Sequence, residues 1–182
     1  MTGDQTSHGA VQLGAAVASV LDRDLAGLRR EIEAYADEAD LWSLVPGLPN
    51  SAGTLALHLA GNIQHFIGRY FAGTGYVRDR PAEFSRRNVP RAELLREIDA
   101  AREAVRSGLF HPSPALLSKD YPESVAGMAV ETGEYLVHLA THLAYHLGQI
   151  DYHRRVITGG TDGIGAVRPA ELKSARPTGQ TA

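Results

Sequence analysis

The chain of 182 residues contains no cysteine. Disulfide bonds, thiolate metal sites and cysteine nucleophiles are therefore excluded, and any metal would have to be bound by histidine or carboxylate groups. The chain also lacks an apolar run of about 18 residues, the length that a membrane-spanning helix needs. Its first residues show neither the basic nor the apolar region of a signal peptide. These absences predict a cytoplasmic protein.

A strong charge of either sign is missing as well. The 18 lysine and arginine residues are nearly balanced by 21 aspartate and glutamate residues, and no dense basic run occurs. Nucleic acid is therefore not expected as a partner. A membrane is not expected either, and a small-molecule substrate is the expected partner. Hydrophobic residues make up 43% of the chain, which is enough for a buried core in one globular domain.

Apolar residues that recur every three or four positions predict four amphipathic helices and an all-α fold. The expected helices cover about residues 11–35, 52–72 and 131–157, with a further one from Pro90 onward. Asn50 and Ser51 are candidate N-caps for the second helix, and Thr158, Gly159 and Gly160 are expected to end the fourth. Residues 1–9 are expected to form a loose end, residues 10–160 the helical domain and residues 161–182 a tail punctuated by glycine and proline.

Long connections rich in proline and glycine separate these helices. Residues 73–89 have no apolar period and are expected to form a loop. We interpret its arginines as solvated charges, with contacts to an anionic substrate as the alternative; they are Arg78, Arg80, Arg86 and Arg87. His111 is expected to be a loop residue in the next connection.

The stretch HLATHLAYHLGQIDYHRR, residues 138–155, carries the clearest chemical pattern. His138, His142 and His146 follow one another at four-residue intervals, so their imidazoles form a column on one helix face beside an apolar stripe. Two histidines at this spacing can bind one metal ion, as in HExxH helices. All three cannot, because His138 and His146 are separated by about 12 Å of helix rise, whereas a histidine–metal bond is about 2 Å long. The pairs 138/142 and 142/146 both remain open.

The second expected helix repeats this arrangement in TLALHLAGNIQHFIGRYF. His58, Asn62, His65 and Arg69 follow one another beside an apolar seam. If the two helices pack seam to seam, their polar columns face each other and His58 becomes the natural third ligand. Three nitrogen ligands with an open position are typical of a catalytic metal site. A hydrogen-bonded core histidine is the alternative interpretation of His58.

These motifs, NSAGTLALHLAGNIQHFIG and above all THLAYHLGQIDYHRR, resemble the DinB-like family of metal-binding four-helix bundles, named for a damage-inducible bacterial protein. The resemblance covers about residues 10–160, and its most specific part is HxxxHxGQ. It implies a four-helix bundle, a homodimer and a divalent-metal site formed by His58, His142 and His146, with Zn²⁺ or Ni²⁺ as the expected ion. Relatives include transferases and isomerases that use mycothiol or bacillithiol, so a low-molecular-weight thiol is an implied cosubstrate.

Other polar residues near the implied ligands could orient an imidazole or contact a substrate. These candidates are Asn62, His65, His138 and Gln149. For His138, a structural role in the core is an equal alternative. Tyr145 and Tyr152 point elsewhere on the helix and receive no role.

Two classes of function follow. In the first, the protein is an enzyme whose metal acts as a Lewis acid and prepares a nucleophile for transfer or hydrolysis, with the thiol supplied by a cosubstrate. In the second, it is a non-catalytic module of a stress response that binds a metal or a small ligand. The sequence shows no general base beside the histidines comparable to the glutamate of HExxH, which favours the second class or a cosubstrate-assisted form of the first.

Overall fold

A computed structural model of the chain describes residues 2–110 and 114–178 and shows an all-α protein. Within these residues the extended pairing is limited to two isolated β-bridges in the connection before the last helix. The helices, in chain order, are α1 (Thr2–Glu33), α2 (Ala52–Ile63), α3 (Arg80–Ser85), α4 (Arg91–Leu109), α5 (Pro114–Leu117) and α6 (Thr132–Thr158). The all-α prediction is confirmed. None of the described helices is long and apolar enough to cross a lipid bilayer.

The four long helices bury the apolar seams that the sequence predicts. Helix α1 packs against α4 and α6, and α2 packs against the same two helices. Fully buried side chains come from all four: Leu21, Leu25, Leu28 and Ile32 of α1, Leu59 and Ile63 of α2, Ile98 of α4, and Leu143 and Ile150 of α6. Each such side chain contributes about 1.5–3 kcal/mol through removal from water. The packing of α2 beside α6 brings their histidines together.

Capping residues set the ends of the two helices that carry histidine. The Ser51 hydroxyl accepts a hydrogen bond from the Thr54 backbone N–H at 3.3 Å, which satisfies one free donor at the start of α2. Gly159 ends α6 with φ of 69°, a left-handed conformation that is unfavourable for residues with a Cβ. Both ends lie where the sequence predicts them.

Three elements differ from the sequence predictions. Helix α1 begins at Thr2, so the described part of residues 1–9 is helical rather than a loose end. No proline interrupts this stretch, and adding residues to an existing helix costs little free energy. Residues 73–89 contain a helix, α3, whose N-cap Asp79 accepts a hydrogen bond from the Ala82 backbone N–H. The second helix continues beyond Ile63 as a π-helical turn, Gln64–Arg69. His111 lies outside the described residues.

The C-terminal segment packs along α1 and α6 as far as the structure describes it. The Arg30 guanidinium donates to the carbonyl of Gly165 at 3.1 Å, and that of Arg154 donates to the carbonyl of Asp162 at 3.3 Å. A Cβ at Gly27 would overlap the carbonyl oxygen of Ala166, so only glycine permits this approach. Side chains of the two helices thus hold a segment whose sequence has no helical period.

Candidate metal centre

Three histidines converge between α2 and α6. Each of His58, His142 and His146 offers one ring nitrogen to a group in which all three atoms lie within 4.8 Å of one another. The Nε2 atoms of His58 and His142 are 3.3 Å apart. His58 is buried and 6% exposed, whereas His142 and His146 are half-buried. The cluster is therefore closed on the α2 side and more accessible on the α6 side.

The second ring nitrogen of His58 is held by a carboxylate from α3. Glu83 Oε2 lies 3.0 Å from His58 Nδ1, and Glu83 is itself buried. Arg78 donates to both oxygens of this carboxylate, at 2.6 Å and 2.8 Å. Burial alone would raise the pKa of Glu83, but the hydrogen bonds from Arg78 and His58 outweigh it and leave the pKa below its usual range. The Arg78 guanidinium, which can only donate, also lies 3.3 Å from His58 Nδ1, but the ionised carboxylate is closer and can only accept. We therefore assign to His58 Nδ1 a proton that it donates to Glu83.

The contact between Glu83 and His58 depends on the absence of a side chain at Gly61. A Cβ at this position of α2 would overlap Glu83 Oε1 and would lie 3.3 Å from the Tyr76 hydroxyl. Glycine thus lets α3 approach α2 closely enough for its buried carboxylate to reach the histidine.

Gln149 orients His146 in a similar way. Its Oε1 lies 2.7 Å from His146 Nδ1, three residues earlier on α6. An amide oxygen accepts, so Nδ1 carries the proton and Nε2 becomes the ligating nitrogen. Burial lowers the pKa of His146. The hydrogen bond with Gln149 raises the pKa but is the smaller effect, and the electrostatic effect of His58 lowers it as well. Gln149 is one of the residues that the sequence offers for this role, together with Asn62.

The donor set fits a divalent metal ion. Glu83 and Gln149 engage the Nδ1 atoms of His58 and His146, which leaves the Nε2 atoms of these rings available to bind an ion together with His142. Two nitrogens bound to one tetrahedral Zn²⁺ at about 2.0–2.1 Å would be about 3.3 Å apart. The Nε2 atoms of His58 and His142 have this separation.

His138 lies outside the group of possible ligands. It is exposed, its ring stacks on Tyr135 with 5.6 Å between centroids, and it lies 6.1 Å from the ring of His142. This position agrees with the pair 142/146 and leaves His138 at the accessible side of the cluster. The sequence left two roles open for His138, a contact near the ligands or substrate and a structural role in the core. The core alternative is wrong, because the side chain is exposed.

Among the described residues, neither His65 nor Asn62 forms a hydrogen bond with the three histidines. His65 lies on the π-helical turn, where its Nε2 is 2.8 Å from a carboxylate oxygen of Glu123. The sequence predicts one column of polar side chains from His58 to Arg69, which requires the regular α-helical period. The π-helical turn changes this period, so the column does not continue along one face. Asn62 is buried, and its amide oxygen has no hydrogen-bond partner among the described residues.

Sequence reasoning missed Glu83 and placed Arg78 among solvated loop charges. Both belong to a segment without an apolar period, so nothing in its pattern indicated a buried carboxylate. The available signal was local: Asp79 followed by Pro81 is a helix-start pattern, and Glu83 lies in the first turn of that helix.

Exchange of Glu83 for glutamine should weaken metal binding. The glutamine can still accept from His58 Nδ1, but it removes the negative charge and the ion pair with Arg78. Partners of this kind change metal affinity about 10–100-fold, and we expect about tenfold for Glu83→Gln. Competition with a chromophoric chelator measures the affinity. Glu123→Gln is the matched control, because it changes the carboxylate paired with His65; an equal loss there would contradict a specific role for Glu83.

No protein-family model, curated protein or solved structure matches this chain.

Proposed function

We propose that the chain is a DinB-like divalent-metal-binding protein, built as a four-helix bundle with a three-histidine site. One observation carries the proposal: nitrogens of His58, His142 and His146 lie within 4.8 Å of one another, on two helices that pack together. The four long helices support the bundle, and the position of Gln149 against His146 agrees with the HxxxHxGQ motif.

We infer Zn²⁺ or Ni²⁺ as the ion, since neutral imidazole suits both. The 3.3 Å between the Nε2 atoms of His58 and His142 is compatible with both nitrogens binding one such ion. A bound ion would supply a Lewis acid at the accessible side of the cluster. The chain's own residues fix the ligands: Glu83 and Arg78 orient His58 on the buried side, and Gln149 orients His146 on the other.

The chemistry that we propose is that of a metal-dependent enzyme, a thiol-dependent transferase or hydrolase that acts on a small molecule. The site needs a thiol from a cosubstrate because the chain has no cysteine. One observation favours the alternative, a binding module without turnover. Glu83 is engaged by His58 and Arg78 and is therefore not free to act as a general base.

An activity screen separates these two functions. Protein loaded with Zn²⁺ or Ni²⁺ is mixed with mycothiol or bacillithiol and an electrophile such as 1-chloro-2,4-dinitrobenzene, and thioether formation is followed by absorbance. We expect turnover that requires both metal and thiol and that is lost in His142→Ala. If metal-loaded protein gives no higher rate than chelated protein with either thiol, the transferase activity is contradicted and the binding module is favoured.

We also propose that the protein is a homodimer, as its resemblance to the DinB-like family implies. Light scattering at micromolar concentration should then give twice the 19.5 kDa mass of the chain. A single species at the mass of one chain would contradict the dimer.

A further inference from the structure

A cavity of about 280 Å³ lies beside α6, against the edge of His146. Its walls come from residues 48–50, from the first turns of α2 and from one face of α6. The residues that matter here are Leu48, Asn50, Leu55, Tyr145, Gln149 and Tyr152. The sequence assigned no role to the two tyrosines, and the proposed function does not use this cavity.

The cavity has the size and lining of a site for an aromatic ring. Tyr145 and Tyr152 are seven residues apart on α6 and therefore lie on the same face, two turns from each other. They are 66% and 72% exposed, and Leu48 is 46% exposed, so large apolar surfaces border an open cavity. A cavity of about 150 Å³ accommodates benzene. The cavity beside His146 therefore has room for a ring with one substituent.

Gln149 supplies a polar group at the same place. Its Oε1 is engaged by His146 Nδ1, and among the described residues the structure gives its amide nitrogen no acceptor. The amide N–H groups can therefore donate to an acceptor on a bound molecule. Apolar walls with one or two placed polar groups are typical of small-molecule sites.

We propose that this cavity binds a small aromatic molecule that carries a carbonyl or similar acceptor, and that Gln149 transmits its binding to His146. The second half of this inference rests on the proposed metal site, because His146 would be one of the ligands. Movement of the Gln149 amide toward the bound acceptor changes its hydrogen bond to His146 and hence the orientation of that imidazole.

Benzamide is the probe, and ligand-observed saturation-transfer NMR on the full chain measures its binding with and without chelator. Acetamide has the acceptor without the ring, and toluene has the ring without the acceptor. We expect saturable binding of benzamide and at least about tenfold weaker binding of the other two, since loss of either group removes roughly 1.4 kcal/mol.

Tyr152→Ala should weaken benzamide binding about tenfold by removal of one aromatic wall. Val156→Ala, an exposed position one turn further along α6, is the matched control and should leave binding unchanged. Both positions are exposed, so both variants should fold, and circular dichroism checks this. Absence of saturable benzamide binding, or equal binding by wild type and Tyr152→Ala, overturns the site.

Substitution of Co²⁺ tests the link to the metal centre. Tetrahedral Co²⁺ has visible absorption bands that respond to ligand orientation, and benzamide, at a concentration that saturates each protein in the NMR titration, should shift them in wild type but not in Gln149→Leu. Benzamide binding without a spectral shift overturns the transmission through Gln149 and leaves the cavity site. Failure to bind Co²⁺ overturns the proposed metal function, whereas benzamide binding to the metal-free protein still decides whether the cavity is a site.

Discussion

His142→Ala should remove the bound ion from a protein that otherwise carries about one divalent ion per chain. His142 provides the nitrogen 3.3 Å from His58 Nε2, so its loss leaves two ligands instead of three. Since a partner outside the ligand set already changes metal affinity about 10–100-fold, loss of a ligand should weaken binding by more than about 100-fold. Elemental analysis after dialysis measures the metal content. His58→Ala and His146→Ala should give the same result.

His138→Ala is the matched control for these variants. It removes an imidazole from the same helix, one turn before His142, but His138 is exposed and outside the group of possible ligands. Its metal content should equal that of the wild type. Full metal content in both His58→Ala and His142→Ala would contradict the site. If His138→Ala lost its metal while His146→Ala kept it, the ligand pair would be 138/142.

Removal of the metal should lower the thermal stability of the protein. An ion that binds the folded but not the unfolded chain contributes about 4 kcal/mol when its free concentration is a thousand times the dissociation constant. In a domain of this size, about 1 kcal/mol corresponds to about 2–4 °C, so chelation should lower the melting temperature by about 10 °C. Melting curves at pH 7.5 with and without chelator measure the effect. Identical curves, on a sample that loses its metal, would show that the site is not coupled to folding.

The metal-free protein should also lose stability in acid. Burial lowers the pKa of His142 to about 4, and the charges of His146, His58, His138 and Arg78 lower it in the same direction. In the unfolded chain the same side chain binds its proton near pH 6.5. Between these values the unfolded state holds more protons, so the free energy of unfolding falls as pH falls from about 6.5 to about 4. The lowered pKa of His146 acts in the same direction.

Urea unfolding of chelated protein between pH 7.5 and pH 4 measures this dependence. His142→Ala lacks the titrating group, so its unfolding free energy should fall less steeply over the same interval. An equal slope in the variant and the wild type would assign the acid sensitivity to other groups. In the metal-loaded wild type, protons also compete with the ion for the imidazoles, and acid should release it.

Much of the helical frame was predictable because its determinants are local. Apolar residues at three- and four-residue intervals specify which face of each long helix is buried, and Ser51 and Gly159 mark helix ends through contacts within a few residues. The spacing of His142 and His146 likewise predicts two imidazoles on one face, since four residues make about one turn.

The partners of the histidines were harder to predict because they come from distant parts of the chain. Glu83 is 25 residues from His58, in a segment whose composition is that of a loop. Its approach to His58 needs three features together: the absence of a side chain at Gly61, the ion pair with Arg78 and the short helix α3. None of these features by itself would have indicated that Glu83 contacts His58. The π-helical turn after Ile63 likewise turns His65 toward Glu123, against the expectation of one continuous column.

The sequence by itself therefore determined an all-α chain whose second and last long helices each carry histidines beside an apolar seam. Periodicity suffices for this, because burial of a helix face depends on residues one turn apart. The tertiary structure decided which nitrogens meet, which tautomers His58 and His146 adopt and which side of the cluster is accessible. These properties depend on the packing of α2, α3 and α6, and interactions between residues distant in sequence leave no periodic trace in the chain.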